Sequence, residues 1–412
     1  MLTWECGRNL GHLSRLRLLA RRLIAQGYCV LAVVRDMPSA SALLNSAGIA
    51  FMQSPRAIGV PPVSARITGY ADLLLSQGWR DRSALWGMLR AWISVYEMFE
   101  PDAVVLDYAP TARLAARILN VPSILVGTGF ELPPARNPLP AFPGFPWATS
   151  EAAAASERCA LENVNAVLSA HRARPLASLC SLVEAESRYL TTFAELDHYG
   201  AREASEYVGP LADPLDGRRI EWPGHSAKRV FAYLRPEMTE FAAMLKGLAA
   251  TDADVVAYVP GVSSESLARF ETPRCVFSRE PVRHAGFLEE ADACLSYAPA
   301  GTVTAALLKG VPQLMAPVHL ESQLTAQRVA SEGMGRMLQS PRSPEQVTHA
   351  LEALLSDRDT RLRARGFAER HRGSTPEAAV ARIIVSIETL CRERVPSQTR
   401  ARNTQPLMAA LS

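Results

Sequence analysis

Residues 296–329 read SYAPAGTVTAALLKGVPQLMAPVHLESQLTAQRV and contain one repeat of a parallel α/β sheet. A strand that includes ACLSY leads into a turn of small residues and a helix, and the strand PQLMAP follows. The backbone N–H groups of Gly301, Thr302 and Val303 lie in the first turn of that helix, where N–H groups lack partners within the helix. Because such a helix start attracts anions, this stretch predicts a phosphate-binding site.

The same alternation of strands and helices extends in both directions. RVFAYL, DVVAYVPG and RCVF are predicted strands in the same half. The segments TWEC, YCVLAVV, DAVVLD, VPSILVG and SRYLTTF repeat the pattern in the N-terminal half. This indicates an α/β fold with two Rossmann-like doubly wound domains facing a central cleft. The expected divisions are an N-terminal domain at 1–211, a linker at 212–226, a C-terminal domain at 227–375, a helix at 376–394 and a disordered tail at 395–412.

The composition excludes several classes of function. The chain has 412 residues with 44 basic and 41 acidic side chains, and a net charge of +3 is too small for a dedicated nucleic-acid binder. There is no GKS or GKT and so no P-loop, and the seven scattered cysteines contain no C-x-x-C pair for structural zinc. Neither a signal peptide nor an apolar run of about 18 residues occurs, which predicts a cytoplasmic protein whose membrane association is at most peripheral.

The N-terminal segment carries two further expectations. Few residues precede Trp4 in the first predicted strand, so we expect the natural chain to start further upstream. In the helix that follows, Arg15, Arg17, Arg21 and Arg22 are expected to form a solvated face.

The turn after the first strand, GRNLGH, is the first candidate for chemistry. Gly7 and Gly11 would let the backbone approach a ligand, but their spacing does not match the G-x-G-x-x-G fingerprint of NAD-binding proteins. His12 lies in the first helical turn, where the helix dipole is expected to lower its pKa and favour the neutral form, which suits a general base. The alternative is a histidine at a helix start that bonds only to the backbone.

Asp107 is the second candidate, because it ends the buried strand DAVVLD. Ligands of open α/β sheets bind outside the carboxyl ends of the strands, so Asp107 and His12 can face the same crevice. A carboxylate there would fix the tautomer of the imidazole and stabilise the imidazolium. The alternative is that Asp107 caps the helix that begins at Pro110.

Two acidic features of the C-terminal half are ambiguous. Glu321 follows the strand PQLMAP, where it could accept hydrogen bonds from sugar hydroxyls or could be an ordinary acid at a solvated helix start. Asp252 and Asp254 form a D-x-D pattern, but the pair precedes its strand. We therefore interpret it as a solvated turn and predict no metal site.

Taken together, these segments resemble the GT-B glycosyltransferases, in particular the nucleotide-sugar transferases related to macrolide, flavonoid and UDP-glucuronosyl transferases. WECGRNLGHLSRL is similar to the family's glycine loop with its catalytic histidine, and DAVVLDYAP is similar to its aspartate motif. The resemblance implies that His12 is the base and Asp107 its partner. It also implies that Gly301 and Thr302 hold the diphosphate, that Glu321 holds the sugar, and that the helix at 376–394 crosses back to the N-terminal domain.

The chain departs from the family pattern at the donor motif. Tyr297-Ala298-Pro299 stands where the family has His-Gly-Gly, Glu321-Ser322 replaces an acid-Gln pair, and no base-stacking aromatic residue lies near Val282. The remaining residues that we expect to line the donor site are Tyr297, Ala300, Val303, Ser322 and Val282.

The resemblance implies an inverting, metal-independent transfer of a hexose from a UDP or dTDP sugar to an acceptor hydroxyl, with the nucleotide sugar as co-substrate and no cofactor. Two alternatives remain open: a GT-B binding or partner subunit without turnover, and a nucleotide-sugar epimerase. The apolar segment 54–92, with Tyr70, Trp79, Trp86 and Trp92, suggests a hydrophobic small-molecule or lipid acceptor, although such aromatic residues are more often in the core.

Overall fold

The computed structural model describes residues 1–7, 10–59, 66–211, 218, 220–238, 240–282, 287–340 and 343–393. The predicted tail at 395–412 and two positions of the glycine loop, Arg8 and Asn9, lie outside the described residues. The described chain divides into two compact units. The first contains residues 1–194, 199–211 and 375–393, and the second contains residues 195–198 and 218–374.

The first unit is built on a six-stranded sheet whose strand order is β3-β2-β1-β4-β5-β6, with every neighbouring pair parallel. This is the Rossmann order, and its switch point lies between β1 and β4. The strands are β1 (Leu2–Trp4), β2 (Leu31–Val34), β3 (Ala50–Gln53), β4 (Val104–Asp107), β5 (Ser123–Gly127) and β6 (Ser187–Leu190). The helices are α1 (Leu10–Ala25), α2 (Met37–Leu44), α3 (Tyr70–Leu74), α4 (Arg82–Phe99), α5 (Pro110–Ile118) and α6 (Ser150–Ala170).

The second unit repeats the same topology. Its six strands are parallel in the order β12-β11-β10-β7-β8-β9, so the switch point lies between β7 and β10. The strands are β7 (Arg229–Tyr233), β8 (Asp254–Tyr258), β9 (Cys275–Ser278), β10 (Ala293–Ser296), β11 (Gln313–Met315) and β12 (Gly335–Met337). The helices are α7 (Phe241–Ala250), α8 (Ser264–Ala268), α9 (Ala300–Leu307), α10 (Leu320–Ser331), α11 (Pro344–Ser356) and α12 (Arg358–Arg370).

The two predicted Rossmann-like domains are therefore confirmed, and the central strands occur where the apolar runs predicted them. Two strands were not predicted, β3 and β12, and each forms one edge of its sheet. Both are only partly buried, so their sequences lack a continuous apolar run.

Two short segments lie elsewhere than the predicted divisions place them. Residues 195–198 belong to the second unit, because Glu195 pairs with His371 at 3.1 Å and His198 bonds to Thr325 at 3.0 Å. Within the predicted linker, Trp222 stacks on Phe287 with ring centroids 4.2 Å apart. That part of the predicted linker packs against the hydrophobic core of the second unit.

The last helix, α13 (Pro376–Glu393), packs against α1 within the first unit. Its buried apolar face shares one hydrophobic core with β1 and α1, and the side chains that it contributes are Ala379, Val380, Ile383, Ile384, Ile387 and Leu390. None of the helices in the described part of the chain is both long and apolar enough to cross a membrane.

Candidate active site

His12 and Asp107 meet at the switch point of the first sheet. β1 and β4 are neighbours there, with Trp4 paired in register with Asp107, and α1 brings His12 back over this end of the sheet. The Nδ1 atom of His12 lies 2.8 Å from Oδ1 of Asp107, and both side chains are buried. With Nδ1 bonded to the carboxylate, Nε2 is the ring nitrogen that can accept a proton.

Asp107 does not cap the helix that follows it, which was the alternative interpretation. The residue that directly precedes α5 is Ala109, and its side chain makes no capping hydrogen bond to the helix. Glu5 takes that role instead, because its Oε2 accepts hydrogen bonds from the N–H groups of Thr111 at 2.9 Å and Ala112 at 3.2 Å. Burial raises the pKa of Glu5 to about 7, against the lowering effect of these bonds.

Arg15 is a buried member of this cluster, which corrects the prediction that it lies on a solvated face. Its guanidinium donates to Oδ1 of Asp107 at 2.8 Å. Residues three apart on a helix share a face, so His12 and Arg15 reach the same carboxylate. This spacing is the signal that sequence reasoning missed.

Glu131 is a second missed residue. It lies in the turn after β5, buried to 3% exposure, and its Oε1 is 3.9 Å from Nε2 of His12. The backbone N–H of Thr128 donates to its Oε2 at 2.7 Å, and the Thr128 hydroxyl donates to the same oxygen. The imidazole is therefore flanked by a carboxylate at each of its nitrogens.

The pKa of His12 is raised, whereas the helix dipole was expected to lower it. Burial disfavours the imidazolium, but the charge and hydrogen bond of Asp107 and the charge of Glu131 outweigh burial and the repulsion from Arg15. The two carboxylates close to the imidazole therefore set the direction of the pKa shift.

Aromatic rings surround the imidazole. Trp4 stacks on His12 with centroids 5.1 Å apart and an interplanar angle of 18°, and the Tyr108 ring lies 6.4 Å away. Tyr108 has a φ of 46°, in the left-handed region that is strained for a tyrosine, and its carbonyl accepts from Cys6 N–H at 3.0 Å. These contacts fix the ring of His12 in one orientation.

The two glycines of the loop differ sharply in their surroundings. Gly7 has a φ of 85°, and a Cβ built on it would lie 2.8 Å from Nε2 of His12. A Cβ on Gly11 would meet no atom within 4 Å. The absence of a side chain at Gly7 therefore leaves space beside Nε2 of His12, and Gly11 has no such role.

His12, Asp107 and Glu131 also form a group of potential metal ligands whose ligand atoms lie within 4.8 Å of one another. However, the Arg15 guanidinium already places a positive charge on Asp107. A divalent cation at this position would be repelled by Arg15, so the arrangement fits a proton-transfer site better than a metal site.

In the second unit, the predicted phosphate site lies at the start of α9. Pro299 is the residue before the helix, Gly301 is exposed, and Thr302 is buried. The N–H of Val303 donates to the Pro299 carbonyl at 3.0 Å. The N–H group of Val303 is therefore hydrogen-bonded within the helix. The N–H groups of Gly301 and Thr302 remain the predicted donors to an anion.

Tyr297 lies at the carboxyl end of β10, beside the start of α9. Its hydroxyl donates to the Tyr233 hydroxyl at 3.4 Å, and its ring is 6.2 Å from the ring of His319. The Arg235 guanidinium lies 6.0 Å from the centre of the same ring. Arg235 and His319 were not predicted, although Arg235 is the second residue after β7 and β7 neighbours β10 in the sheet.

The turn after β10 has an unusual backbone. Ala298 has a φ of 60°, a left-handed conformation that favours glycine, which is the residue that the resembled family has here. Its N–H donates to the Ser296 hydroxyl at 3.1 Å. The turn thus tolerates the alanine at some cost in backbone strain.

The other predicted donor-site residues lie in and beside the first turn of α10 and in the core of the second unit. Ser322 is buried at the start of α10, where its hydroxyl accepts from Val318 and His319 N–H groups, each at 3.1 Å. Glu321, next to it, is half-buried in the same turn. Val282 is 5% exposed, and its side chain packs in the hydrophobic core with Phe231 and Phe287, so the donor contact at Val282 stays a prediction.

One segment of the chain matches a protein family, and the whole chain is similar in structure to known proteins. Residues 242–387 match the family described as the C-terminal domain of erythromycin biosynthesis protein CIII-like proteins. No curated protein sequence matches the chain.

CalG4, the calicheamicin glycosyltransferase, is 20% identical with a TM-score of 0.71, over 96% of this chain and 99% of that chain. The glycosyltransferase VinC, solved with dTDP, is 17% identical with a TM-score of 0.69, over 95% and 99% of the two chains. The glycotransferase of kitacinnamycin is 20% identical with a TM-score of 0.69, over 94% and 98%.

The chain has the GT-B fold. The fold that the sequence resemblance predicted is thereby confirmed, and the family match adds an independent similarity for residues 242–387.

The acidic pair of the D-x-D pattern has a structural role in the second unit. Asp254 is buried and accepts from Gly224 N–H at 2.8 Å, so it is not part of a solvated turn, whereas Asp252 is exposed and pairs with Arg274.

The aromatic residues of segment 54–92 are mostly core residues of the first unit. Trp79 and Trp92 are fully buried and Tyr70 is 4% exposed, while Trp86 is 46% exposed and stacks on His171. Residues 60–65 lie outside the described part of the chain. The rings that do approach His12 are Trp4 and Tyr108, from the ends of β1 and β4.

Proposed function

We propose that this protein is an inverting glycosyltransferase that moves a hexose from a UDP or dTDP sugar to the hydroxyl of a small-molecule or lipid acceptor. The observation that carries the proposal is the buried pair of His12 and Asp107, joined at 2.8 Å at the switch point of the first sheet. The match of residues 242–387 to the C-terminal domain of erythromycin biosynthesis protein CIII-like proteins supports it, as does the structural similarity to VinC, solved with dTDP.

In the proposed reaction, His12 acts as the general base. Nε2 takes the proton of the acceptor hydroxyl while the oxygen forms a bond to the anomeric carbon. The bond from that carbon to the diphosphate breaks, and the diphosphate leaves with the electron pair. Asp107 keeps the proton of the neutral ring on Nδ1 and stabilises the imidazolium that forms.

The negative charge on the leaving diphosphate needs positive groups in the second unit. We propose that the N–H groups of Gly301 and Thr302 supply two hydrogen bonds to the diphosphate. We also propose that Arg235, which lies beside the Tyr297 ring, supplies the positive charge that the family's histidine would provide. Preorganised donors of this kind stabilise developing charge without a divalent ion, and we include none in the reaction. Glu321 remains our proposed ligand of the sugar hydroxyls.

We expect UDP or dTDP to raise the melting temperature, and NAD or ATP to leave it unchanged. The proposed site recognises a nucleoside diphosphate at a helix start, and the NAD fingerprint is missing from the glycine loop. A ligand present at 100 times its Kd stabilises the folded state by about 2.7 kcal/mol. Differential scanning fluorimetry over a set of nucleotides measures this effect, and a shift with NAD but none with any nucleoside diphosphate would contradict the proposal.

A matched pair of variants locates the diphosphate. Gly301→Ala should keep the thermal shift, because a Cβ there meets no atom within 4 Å. Gly301→Asp should abolish it, since its carboxylate would repel the phosphates while favouring the helix start in the free protein. Equal shifts in the two variants would place the nucleotide elsewhere.

Turnover is tested by the release of nucleoside diphosphate. A glycosyltransferase hydrolyses its donor slowly when no acceptor is present, whereas the binding subunit considered from the sequence would release none. Chromatography of UDP or dTDP sugars incubated with the protein separates the two functions. Isomerisation of the sugar without release would instead indicate an epimerase.

A further inference from the structure

The charged side chains around His12 have a net negative charge when the His12 ring is neutral. Among the residues that the structure describes, the groups that can carry charge and face the ring are Asp107 from β4, Arg15 from α1 and Glu131 from the turn after β5, together with the phenol of Tyr108. Arg15 bonds to Asp107 at 2.8 Å and offsets its charge. The Glu131 carboxylate therefore leaves one negative charge in a buried region, which a proton on His12 would neutralise.

Glu131 is held in place to meet the imidazole. Two donors of Thr128, its N–H and its hydroxyl, both bond to Oε2, which leaves Oε1 facing Nε2 at 3.9 Å. Although burial tends to raise the pKa of Glu131, the charges of Arg15 and His12, the bond from the Thr128 hydroxyl and a backbone hydrogen bond outweigh burial and lower it. This lowering of its pKa favours the ionised carboxylate.

We propose that Glu131 is a positioning residue for the base: its carboxylate holds a proton on Nε2 of His12 in the free protein, and the acceptor hydroxyl enters between the two groups. This proposal rests on the proposed glycosyl transfer and deepens it, because it adds a third residue to the pair. Its consequence is that the base becomes available only as pH rises through the pKa of His12.

The expected pH dependence follows from the sign of this interaction. The pKa of His12 is raised, so turnover that needs the neutral ring should increase with pH and its acidic limb should lie above the ordinary value of 6.5. Glu131→Gln removes the negative charge but keeps an oxygen that Thr128 can bond. A charge at this distance shifts a pKa by about one unit or more. We expect the His12 pKa and the acidic limb of kcat/KM to move down by that amount.

The test combines NMR with kinetics. The titration of His12 in the free protein is followed by NMR, with its signals among the eight histidines assigned from a His12→Gln variant. Glu131→Gln should titrate at lower pH than the wild type, and Glu131→Asp, which keeps the charge, should remain closer to the wild type. Glu157→Gln is the matched control, because this buried carboxylate bonds to Leu139 N–H at 2.8 Å and is not one of the charged groups that face His12.

The outcomes separate this proposal from the proposed function. An unchanged His12 pKa in folded Glu131→Gln, or an equal drop in Glu157→Gln, would overturn the role of Glu131. Both the role of Glu131 and the proposed function would be supported if the wild type transfers sugar and Glu131→Gln lowers both the His12 pKa and the acidic limb of kcat/KM. A lowered pKa in a protein that transfers no sugar would support the contact and contradict the proposed function.

Discussion

Replacing His12 by alanine is expected to lower turnover by about 10²–10⁴ and to leave donor binding unchanged. The base acts on the acceptor hydroxyl, whereas the proposed diphosphate contacts lie in the second unit. kcat is measured with a UDP or dTDP sugar and an acceptor hydroxyl, and donor binding by the thermal shift with the nucleoside diphosphate. Loss of both together would show that His12 is needed for folding instead of proton transfer.

Asp107→Asn should also lower turnover, because an amide can hold the wrong tautomer of the ring and carries no charge for the imidazolium. It also leaves the buried Arg15 without its counter-charge, so the free energy of unfolding is measured alongside and activity is expressed per folded protein.

The double variant of His12 and Asp107 is decisive. If the two residues act as one unit, the double variant should be hardly slower than His12→Ala alone. Losses that multiply would mean that Asp107 contributes independently, and full activity in His12→Ala would contradict the mechanism.

Gly7→Ala is expected to lower turnover by about 10² or more. The added Cβ would lie 2.8 Å from Nε2 of His12, so the ring or the loop must shift, and a displacement of about 1 Å can cost about 10²-fold in rate. The positive φ of Gly7 also makes any side chain there strained, at about 1–2 kcal/mol of stability. Steady-state kinetics and thermal unfolding of the same variant separate the two effects.

Gly11→Ala is the control for this prediction. Its Cβ meets no atom within 4 Å, and alanine is the better helix former, so activity and stability should be retained. Combining Gly7→Ala with His12→Ala should add little further loss if Gly7 acts only through Nε2. A severe defect in Gly11→Ala, or none in Gly7→Ala, would show that the loop is required for another reason.

The sequence alone was sufficient for the Rossmann-like architecture. Continuous apolar runs such as VVL in β4 and ACL in β10 identify strands buried on both faces, and the amphipathic stretches between them require parallel crossovers. The edge strands β3 and β12 escaped prediction because half-exposed strands have no such run. The pairing of His12 with Asp107 also followed from sequence, since strand ends and helix starts meet at the switch point.

What only the tertiary structure decided is the electrostatic state of the site. The helix start predicted a lowered pKa for His12, but Asp107 and Glu131 raise it, and Arg15 turned out to be a buried partner instead of a surface charge. Glu131 lies far from His12 in sequence, and no sequence motif marks it as a site residue. Its role arises because β5 and its turn pack beside β4, and interactions between charges depend on distances that the linear sequence does not contain.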